Sequence, residues 1–222
     1  MNNIDVQTVL FDLDGTLIDS APDLAGAANA MREARGMLAL PYEVLRPMVG
    51  SGARGMVGVA FGVTPQDAGF IPLRDEFLTR YEQGLLERTV VFAAVLPVLD
   101  RLDAAGLRWG IVTNKARRFT APVVEGLTLL HRAAVVISGD STPHSKPHPA
   151  PLLEAARCLG VAPQRCVYVG DDLRDMQAGH AAGMSTLAAG WGYLGQGEPI
   201  QTWGAHAVLA HPNELLNWLQ LP

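Results

Sequence analysis

Two aspartates, Asp12 and Asp14, directly follow apolar and β-branched residues in the segment 9–17, which reads VLFDLDGTL. In a strand, side chains two residues apart lie on the same face, so both carboxylates would point the same way. Burying two carboxylates is unfavourable unless a cation or a set of hydrogen-bond donors compensates their charge. An Asp-x-Asp pair alone is also common at turns and helix caps, but this setting predicts a positively charged partner.

Three other apolar segments also end in polar residues that could do chemistry. In a doubly wound sheet, ligands bind outside the carboxyl ends of the strands, so side chains at these ends are expected to lie close together. The candidates in these three places are Thr113, Asn114, Lys146, Asp171 and Asp175.

The phrase DLDGT at residues 12–16, directly after an apolar strand, is similar to the first motif of the haloacid dehalogenase superfamily. The phrase DSAPDL at residues 19–24 resembles the phosphoglycolate phosphatase branch of that superfamily. By this resemblance Asp12 is the nucleophile and forms an aspartyl-phosphate, and Asp14 is the general acid and base. The expected activity is phosphatase activity on a small phosphorylated metabolite.

The second and third motifs of the superfamily resemble two further phrases. Thr113 matches the second motif, in which the hydroxyl and nearby backbone N–H groups hold phosphoryl oxygens. Asn114 has the same geometry available to it. Lys146, in the phrase SKP, matches the third motif, in which a lysine pairs with the nucleophile Asp12 and with the phosphate and offsets their repulsion.

The fourth motif resembles the phrase GDDLRD after the strand at 166–169 and implies a metal site. By this resemblance Asp171 is a Mg²⁺ ligand that Asp175 supports, and the carboxylate of Asp12 and the backbone carbonyl of Asp14 complete the protein ligands. Oxygen ligands of this kind suit Mg²⁺, which keeps several waters and bridges to phosphate.

Several polar residues near these motifs have a plainer interpretation. Lys115 is expected to be a solvated surface lysine. Asp172 is expected to cap the next helix, and its further role stays open, because many relatives have a small residue there. His144 and His148 are expected to be loop residues, since no zinc-ligand spacing surrounds them.

The elements that would position these side chains begin with a strand over residues 8–12. For about 75 residues after it, the apolar spacing predicts only helices, and Ser20 is the expected N-cap of the first. Tyr81 lies on an apolar stripe that predicts a packing face. The predicted helices span residues 20–36, 42–49, 53–61 and 72–86.

From about residue 95, short apolar strands alternate with helices, which indicates βαβ crossovers and a parallel sheet. We therefore expect an α/β fold with a doubly wound parallel sheet, a Rossmann-like core formed by residues 1–16 and 94–222. The superfamily resemblance implies that residues 17–93 are an inserted all-helical cap domain. The predicted strands span residues 108–113, 134–138, 166–169, 185–189 and 207–210, and the helices 96–105, 149–159, 173–182 and 214–219, with 116–127 left open because of Pro122.

Composition and charge limit the class of protein. With 222 residues, 49% of them hydrophobic, the chain can bury a sizeable core. Seventeen basic and 22 acidic residues give a net charge of -5 without a basic block, which disfavours a nucleic-acid or membrane partner. Cys158 and Cys166 lie in apolar contexts without metal-ligand spacing and are expected to be buried thiols in a reducing compartment. The polar N-terminus argues against a signal peptide, so we expect a cytoplasmic enzyme, a monomer or homodimer.

The leaving group would be chosen by the helical insert, where Arg54 follows a glycine-rich turn and is the candidate for pairing with an acidic substrate. The phrase SGAR at residues 51–54 also resembles bacterial phosphatases that act on N-acetylmuramic acid 6-phosphate, which is the alternative to a phosphoglycolate phosphatase. A sugar phosphomutase and a non-catalytic binding protein are more distant alternatives. A 2-haloacid dehalogenase would not need Asp14 and the Mg²⁺ arrangement.

Overall fold

A computed structural model describes residues 5–221 of the chain. Its main sheet has six parallel strands in the order β5-β4-β1-β6-β7-β8, which confirms the expected α/β class. The strands of this sheet are β1 Thr8–Phe11, β4 Arg108–Val112, β5 Val136–Ile137, β6 Cys166–Gly170, β7 Ser185–Ala189 and β8 Ala207–Leu209.

The central strand β1 is fully buried, as its uninterrupted apolar sequence indicates. Phe11, its last residue, pairs with Ile111 of β4 on one side and with Val169 of β6 on the other. This register aligns the carboxyl ends of three strands. The residues that follow them therefore share one edge of the sheet.

Helices cover both faces of this sheet. The helices of the core region are α5 Leu96–Ala104, α6 Arg117–Gly126, α7 Ala150–Leu159, α8 Leu173–Ala181 and α9 Glu214–Trp218. Residues of α5, α6 and α9 pack with Val9 and Phe11 of β1 in one apolar cluster. Residues of α7 and α8 pack with Leu10 in another. The helix left open around Pro122 is present, with the proline inside it.

The insert contains four α-helices, α1 Ala21–Glu33, α2 Tyr42–Leu45, α3 Gly52–Phe61 and α4 Phe70–Gln83. They share an apolar cluster that includes Met31, Met56, Phe77 and Tyr81. The predicted helix 42–49 is only partly α-helical, because the chain continues as a 3-10 helix over Arg46–Ser51. The helical insert after the first strand thus follows the expected architecture.

The insert is not wholly helical, which corrects the sequence-based expectation. Strands β2 Ile18–Asp19 and β3 Val90–Val91 pair antiparallel where the chain leaves and rejoins the core. Two-residue strands are too short to show an alternating pattern, so the sequence could not reveal them.

The start of α1 is capped differently from the expectation. Ser20 holds the N-cap position, but its side chain accepts no hydrogen bond from the helix and instead donates to Asp14 Oδ1. The hydroxyl of Tyr193 accepts from the backbone N–H groups of Ser20 at 2.8 Å and Ala21 at 3.1 Å. The hydroxyl of Tyr193, which is distant in the chain, therefore caps the start of α1 in place of the Ser20 side chain.

None of the helices formed by residues 5–221 combines the length and the apolar character needed to cross a bilayer.

Candidate active site

One cavity of about 370 Å³ lies between the carboxyl edge of the main sheet and the helices of the insert. Every site residue predicted from the sequence lines it except Arg54, which is exposed on α3 and outside the lining. The predicted residues in the lining are Asp12, Asp14, Thr113, Asn114, Lys146, Asp171 and Asp175.

Lys146 lies at the centre of the polar end of this cavity. Its ammonium group is 3.0 Å from Asp12 Oδ1 and 2.7 Å from Asp175 Oδ1, and the lysine is almost fully buried. The Nζ also donates to the Tyr168 hydroxyl at 2.7 Å and to the carbonyl of Val112 at 3.0 Å. Because buried charges need partners, these contacts keep Lys146 protonated and fixed.

Asn114 acts on the backbone of Lys146. Its side-chain amide donates to the carbonyl of Lys146 at 2.9 Å, and its side-chain oxygen accepts from the N–H of Lys146 at 2.9 Å. Thr113 is buried, and its hydroxyl accepts from the N–H of Lys115 at 3.2 Å. The loop after β4 thus supports the lysine that follows β5.

Three carboxylates gather beside Lys146, with ligand atoms of Asp12, Asp171 and Asp175 within 4.8 Å of one another. Burial, with the nearby Asp175 and Asp14 carboxylates, raises the pKa of Asp12 to about 6, although Lys146 opposes this shift. Burial, together with the Asp12 and Asp175 charges, raises the pKa of Asp171 well above its usual range. Three acids against one lysine leave this part of the cavity short of positive charge.

The carboxylates of Asp171 and Asp175 are held in place by neighbours. Asp171 accepts from the hydroxyl of Thr16 at 2.9 Å and from the N–H of Tyr193 at 2.8 Å. Asp175 accepts from the N–H of Asp172 at 3.0 Å. Gly15 has a φ of +84°, and a Cβ there would lie 2.2 Å from Asp171 Oδ2, so only glycine fits.

Among residues 5–221, Asp12 Oδ1 and the Thr8 hydroxyl are the buried side-chain polar atoms that lack a hydrogen bond. Lys146 Nζ is 3.0 Å from Asp12 Oδ1, but the angles at this contact are poor for a hydrogen bond. A buried carboxylate oxygen without a donor, facing two other carboxylates, is a suitable ligand for a hard cation.

Asp14 lines the same cavity and forms a second charged pair with Lys115. The ammonium group of Lys115 lies 3.0 Å from Asp14 Oδ1 and 3.2 Å from Oδ2, and it donates to the Tyr81 hydroxyl at 2.7 Å. Contrary to the sequence-based expectation, Lys115 is half-buried, and its side chain is 7% exposed. Its place directly after Thr113 and Asn114, at a strand end that faces the ligand side, was the available signal.

Asp172 caps α8, as the sequence predicts. Its Oδ1 accepts from the N–H of Arg174 at 2.9 Å. The side chain of Asp175 in turn accepts from the N–H of Asp172, which completes a capping box. Arg174 pairs with Asp172 at 2.7 Å and also donates to the carbonyl of Gly50 in the insert. The arginine that lines the cavity is therefore Arg174, which the sequence did not single out.

The insert supplies an apolar wall opposite the acids. This wall is lined by Leu24, Val49, Ala53, Phe77, Leu78 and Tyr81, and α6 adds Phe119. Polar chemistry is thus confined to the sheet edge, and the far side of the cavity favours the carbon skeleton of a ligand.

Residues 9–189 match the family model of haloacid dehalogenase-like hydrolases. The chain is 46% identical over 212 residues to a phosphoglycolate phosphatase of Xanthomonas campestris pv. campestris, with 94% of each chain covered. It is 39% identical over 219 residues to an N-acetylmuramic acid 6-phosphate phosphatase of Pseudomonas aeruginosa, covering 99% of this chain and 97% of that one.

The fold is also similar to a solved structure. A predicted phosphoglycolate phosphatase from Haemophilus somnus 129pt superposes with a TM-score of 0.83 at 25% identity, over 96% of this chain and 98% of the other. These two relatives are matched over nearly the whole chain, and the family model is matched over residues 9–189, a range that contains every candidate site residue. The chain belongs to the haloacid dehalogenase-like hydrolase family, among its phosphatases.

Proposed function

We propose that this protein is a Mg²⁺-dependent phosphatase that hydrolyses a small phosphomonoester through an aspartyl-phosphate on Asp12. The observation that carries this proposal is the placement of Asp12, Lys146, Asp171 and Asp175 around one point, with Asp14 in the same cavity. A nucleophile, a cation for phosphate and a second carboxyl group are the parts that such a reaction needs.

Mg²⁺ fits the acidic cluster, because the donors are all carboxylate oxygens and one of them lacks a hydrogen bond. The carboxylates of Asp12, Asp171 and Asp175 would hold it, together with the backbone carbonyl of Asp14. When bound, the ion supplies positive charge that shields the phosphate from the attacking carboxylate.

The protein's own groups carry the bond changes. A carboxylate oxygen of Asp12 attacks phosphorus in line, the bond to the ester oxygen breaks, and Asp14 gives its proton to the leaving alkoxide. Asp14 then takes a proton from water, which attacks the phosphorus of the aspartyl-phosphate and frees Asp12. Lys146 offsets the negative charges of Asp12 and the phosphoryl group, and Thr113 and Asn114 lie beside the phosphoryl oxygens.

For the substrate, 2-phosphoglycolate is the first candidate, which the 46% identical relative supports by its name. Arg54 stays the predicted partner of a substrate carboxylate, although it lies outside the cavity lining. Under this proposal Arg54→Ala raises the KM for 2-phosphoglycolate several-fold more than the KM for a neutral aryl phosphate. An equal effect on both substrates would remove Arg54 from this role.

N-acetylmuramic acid 6-phosphate is the second candidate, which the volume and the apolar wall of the cavity support. A volume of about 370 Å³ with an apolar wall exceeds what a two-carbon acid fills. Within residues 5–221, the cations that line the cavity, Lys115, Lys146 and Arg174, are each paired with a carboxylate. A larger leaving group with apolar parts would use the wall of the insert.

The experiment that separates these candidates measures phosphate release with Mg²⁺ from a panel of phosphomonoesters. The panel contains 2-phosphoglycolate, N-acetylmuramic acid 6-phosphate, hexose phosphates and an aryl phosphate. A preference of roughly a hundredfold in kcat/KM, about 2.7 kcal/mol of transition-state binding, would identify the leaving group. A panel without any hydrolysis would contradict the proposed activity.

The nucleophile is tested by Asp12→Asn, which keeps the shape of the side chain but cannot form an acyl phosphate. We expect no measurable turnover of any substrate in the panel, with an unchanged circular dichroism spectrum. Near-normal activity in this variant would contradict the assignment of Asp12.

We also propose that the enzyme works in the cytoplasm. Both cysteines are free thiols, which supports a reducing compartment. Cys166 is buried, as the sequence predicts, whereas Cys158 is exposed, contrary to the prediction.

A further inference from the structure

We infer that Lys115 is a positioning residue that holds Asp14 in place and ties it to the helical insert through Tyr81. This inference rests on the proposed role of Asp14 as the proton donor to the leaving group. Lys115 has no role in the phosphatase mechanism proposed for the other residues. Its contact with Tyr81 would connect the insert directly to the proton donor.

The contacts of Lys115 are with one group of the core and one of the insert. An ammonium group has three N–H bonds. The two oxygens of Asp14 lie 3.0 and 3.2 Å from Nζ and share one N–H, and another N–H points at the hydroxyl of Tyr81, at 2.7 Å. Because these contacts join Asp14 of the core to Tyr81 of the insert, they favour a positioning role.

Burial makes these contacts strong. The side chain of Lys115 is 7% exposed and that of Asp14 is 18% exposed. A charge-assisted bond is stronger where water is excluded, and a buried ammonium group left without a partner is costly. Lys115 is therefore held to this one arrangement, and Asp14 is held with it.

Asp14 has a second restraint that comes from the same side of the molecule. The hydroxyl of Ser20, next to the junction of core and insert, donates to Asp14 Oδ1. The carboxyl group is thus fixed by Ser20 at the junction and by Lys115, which reaches into the insert. Its orientation depends on where the insert lies.

Tyr81 belongs to α4 of the insert, whereas Lys115 and Asp14 belong to the core. The Lys115 ammonium also lies 4.7 Å from the centre of the Tyr81 ring, a cation–π distance. When the insert sits as it does here, Tyr81 completes the surroundings of Lys115. A displaced insert would remove this partner and loosen Asp14.

The test compares a poor and a good leaving group. An alkyl phosphate needs a proton on its leaving oxygen, whereas 2,4-dinitrophenyl phosphate does not, so damage to the proton donor falls mainly on the first. The measured quantity is kcat/KM with Mg²⁺, which reports the step up to loss of the leaving group. The alkyl substrate is the one that the wild type hydrolyses fastest.

For Lys115→Met we expect a loss of about tenfold or more on the alkyl phosphate and of less than about threefold on the dinitrophenyl phosphate. For Tyr81→Phe, which keeps the ring and loses the hydroxyl, we expect the same selective loss, several-fold in size. Tyr81→Phe decides the question if Lys115→Met does not fold. An equal loss on both substrates, or no loss, in the decisive variant would overturn the inference.

Arg118→Met is the matched control. Arg118 follows Lys115 closely in the chain and faces Glu82 of the same insert helix at 3.8 Å, but it is half exposed and lies outside the cavity lining. The variant Arg118→Met therefore removes a cation between core and insert but leaves the contacts of Asp14 intact. We expect unchanged kinetics with both substrates; a selective loss in this control would show that general adhesion of the insert is responsible.

Asp14→Asn separates failure of this inference from failure of the proposed mechanism. If kcat/KM falls selectively for the alkyl phosphate in Asp14→Asn but not in Lys115→Met, only the role of Lys115 is wrong. If kcat/KM of Asp14→Asn falls equally for both substrates, Asp14 is not the proton donor and the proposed mechanism itself is wrong.

Discussion

At the scale of single residues, the active site places charge where charge is costly. Under the proposed mechanism Asp12 must be ionised to attack phosphorus, yet burial raises its pKa to about 6. Lys146 opposes this shift, but it is shared with Asp175. The metal-free protein therefore carries an electrostatic cost that a bound cation would relieve.

This cost predicts how the stability of the metal-free protein depends on pH. The pKa of Asp12 is about 6 in the folded protein and 3.8 ordinarily, so between these values the folded protein binds the proton and the unfolded chain does not. The stabilisation is fully present below about pH 4 and is lost as the pH rises through 6. The shift corresponds to about 3 kcal/mol at most.

Asp12→Asn removes the buried charge and tests that expectation. Without Mg²⁺ at pH 7.5, we expect the variant to unfold at a higher urea concentration than the wild type, and at pH 4 we expect the gain to vanish. The free energies of unfolding come from denaturation followed by circular dichroism. A difference that is the same at both pH values would contradict the buried-charge explanation.

At the scale of elements, helix α1 depends on a residue far along the chain. Tyr193 accepts from the first N–H groups of the helix and donates to Asp19 Oδ1 at 3.0 Å. Trp191, in the same loop, donates to the carbonyl of Thr16 at 3.0 Å. The irregular loop at 190–203 thus secures the point where the chain enters the insert.

Tyr193→Phe tests this cap. The variant keeps the ring but leaves the buried N–H of Ser20 without its acceptor and that of Ala21 with Asp19 Oδ1 at 3.3 Å, so we expect a loss of about 2 kcal/mol of stability in urea unfolding. Tyr42→Phe, at a tyrosine that is 37% exposed, is the control and should change stability by less than about 0.5 kcal/mol. Similar losses in both variants would argue against the Tyr193 cap.

The capping box of α8 gives Asp172 a defined role. We expect Asp172→Ala to lose about 1 kcal/mol of stability, because the first N–H groups of the helix lose their acceptor. Asp172→Asn keeps an acceptor oxygen and loses only the charge that pairs with Arg174, so its loss should be smaller. Equal losses in urea unfolding would mean that the ion pair with Arg174, and not the cap, is what matters.

At the scale of the whole molecule, core and insert meet at several charged contacts around the cavity. Arg46 of the insert donates to the carbonyl of Gly192 at 3.1 Å and lies 4.9 Å from the centre of the Tyr193 ring. Arg174 of the core reaches Gly50, and Lys115 reaches Tyr81. A ligand that binds at the acidic cluster should therefore increase the free energy of unfolding of the whole protein.

Mg²⁺ alone tests this expectation by thermal unfolding without substrate. At a concentration of about 100 times its Kd, it should stabilise the folded protein by about 2.7 kcal/mol and raise Tm by roughly 5–10 °C. EDTA should reverse the effect. Asp171→Asn removes one carboxylate of the cluster and should lose most of the shift; an undiminished shift in this variant would place the ion elsewhere.

The parallel sheet and the residues at its edge were predictable because they depend on local patterns. The buried strand before Asp12, and the alternation of strands and helices after residue 95, can each be recognised from short stretches of the local sequence. Since parallel strands end at a common edge, Thr113, Lys146 and Asp171 could be grouped before any coordinates were known.

The contacts that join the insert to the core were decided only by the tertiary structure. Lys115 and Tyr81 are 34 residues apart, and Tyr193 caps a helix 172 residues before it, so no local pattern relates them. The same holds for Arg54 and Arg174, because only the packing of α3 and α8 determines which arginine lines the cavity. By itself the sequence determined which candidate groups lie at the sheet edge, since motif and strand end are local, whereas the tertiary structure decided how the insert contacts them.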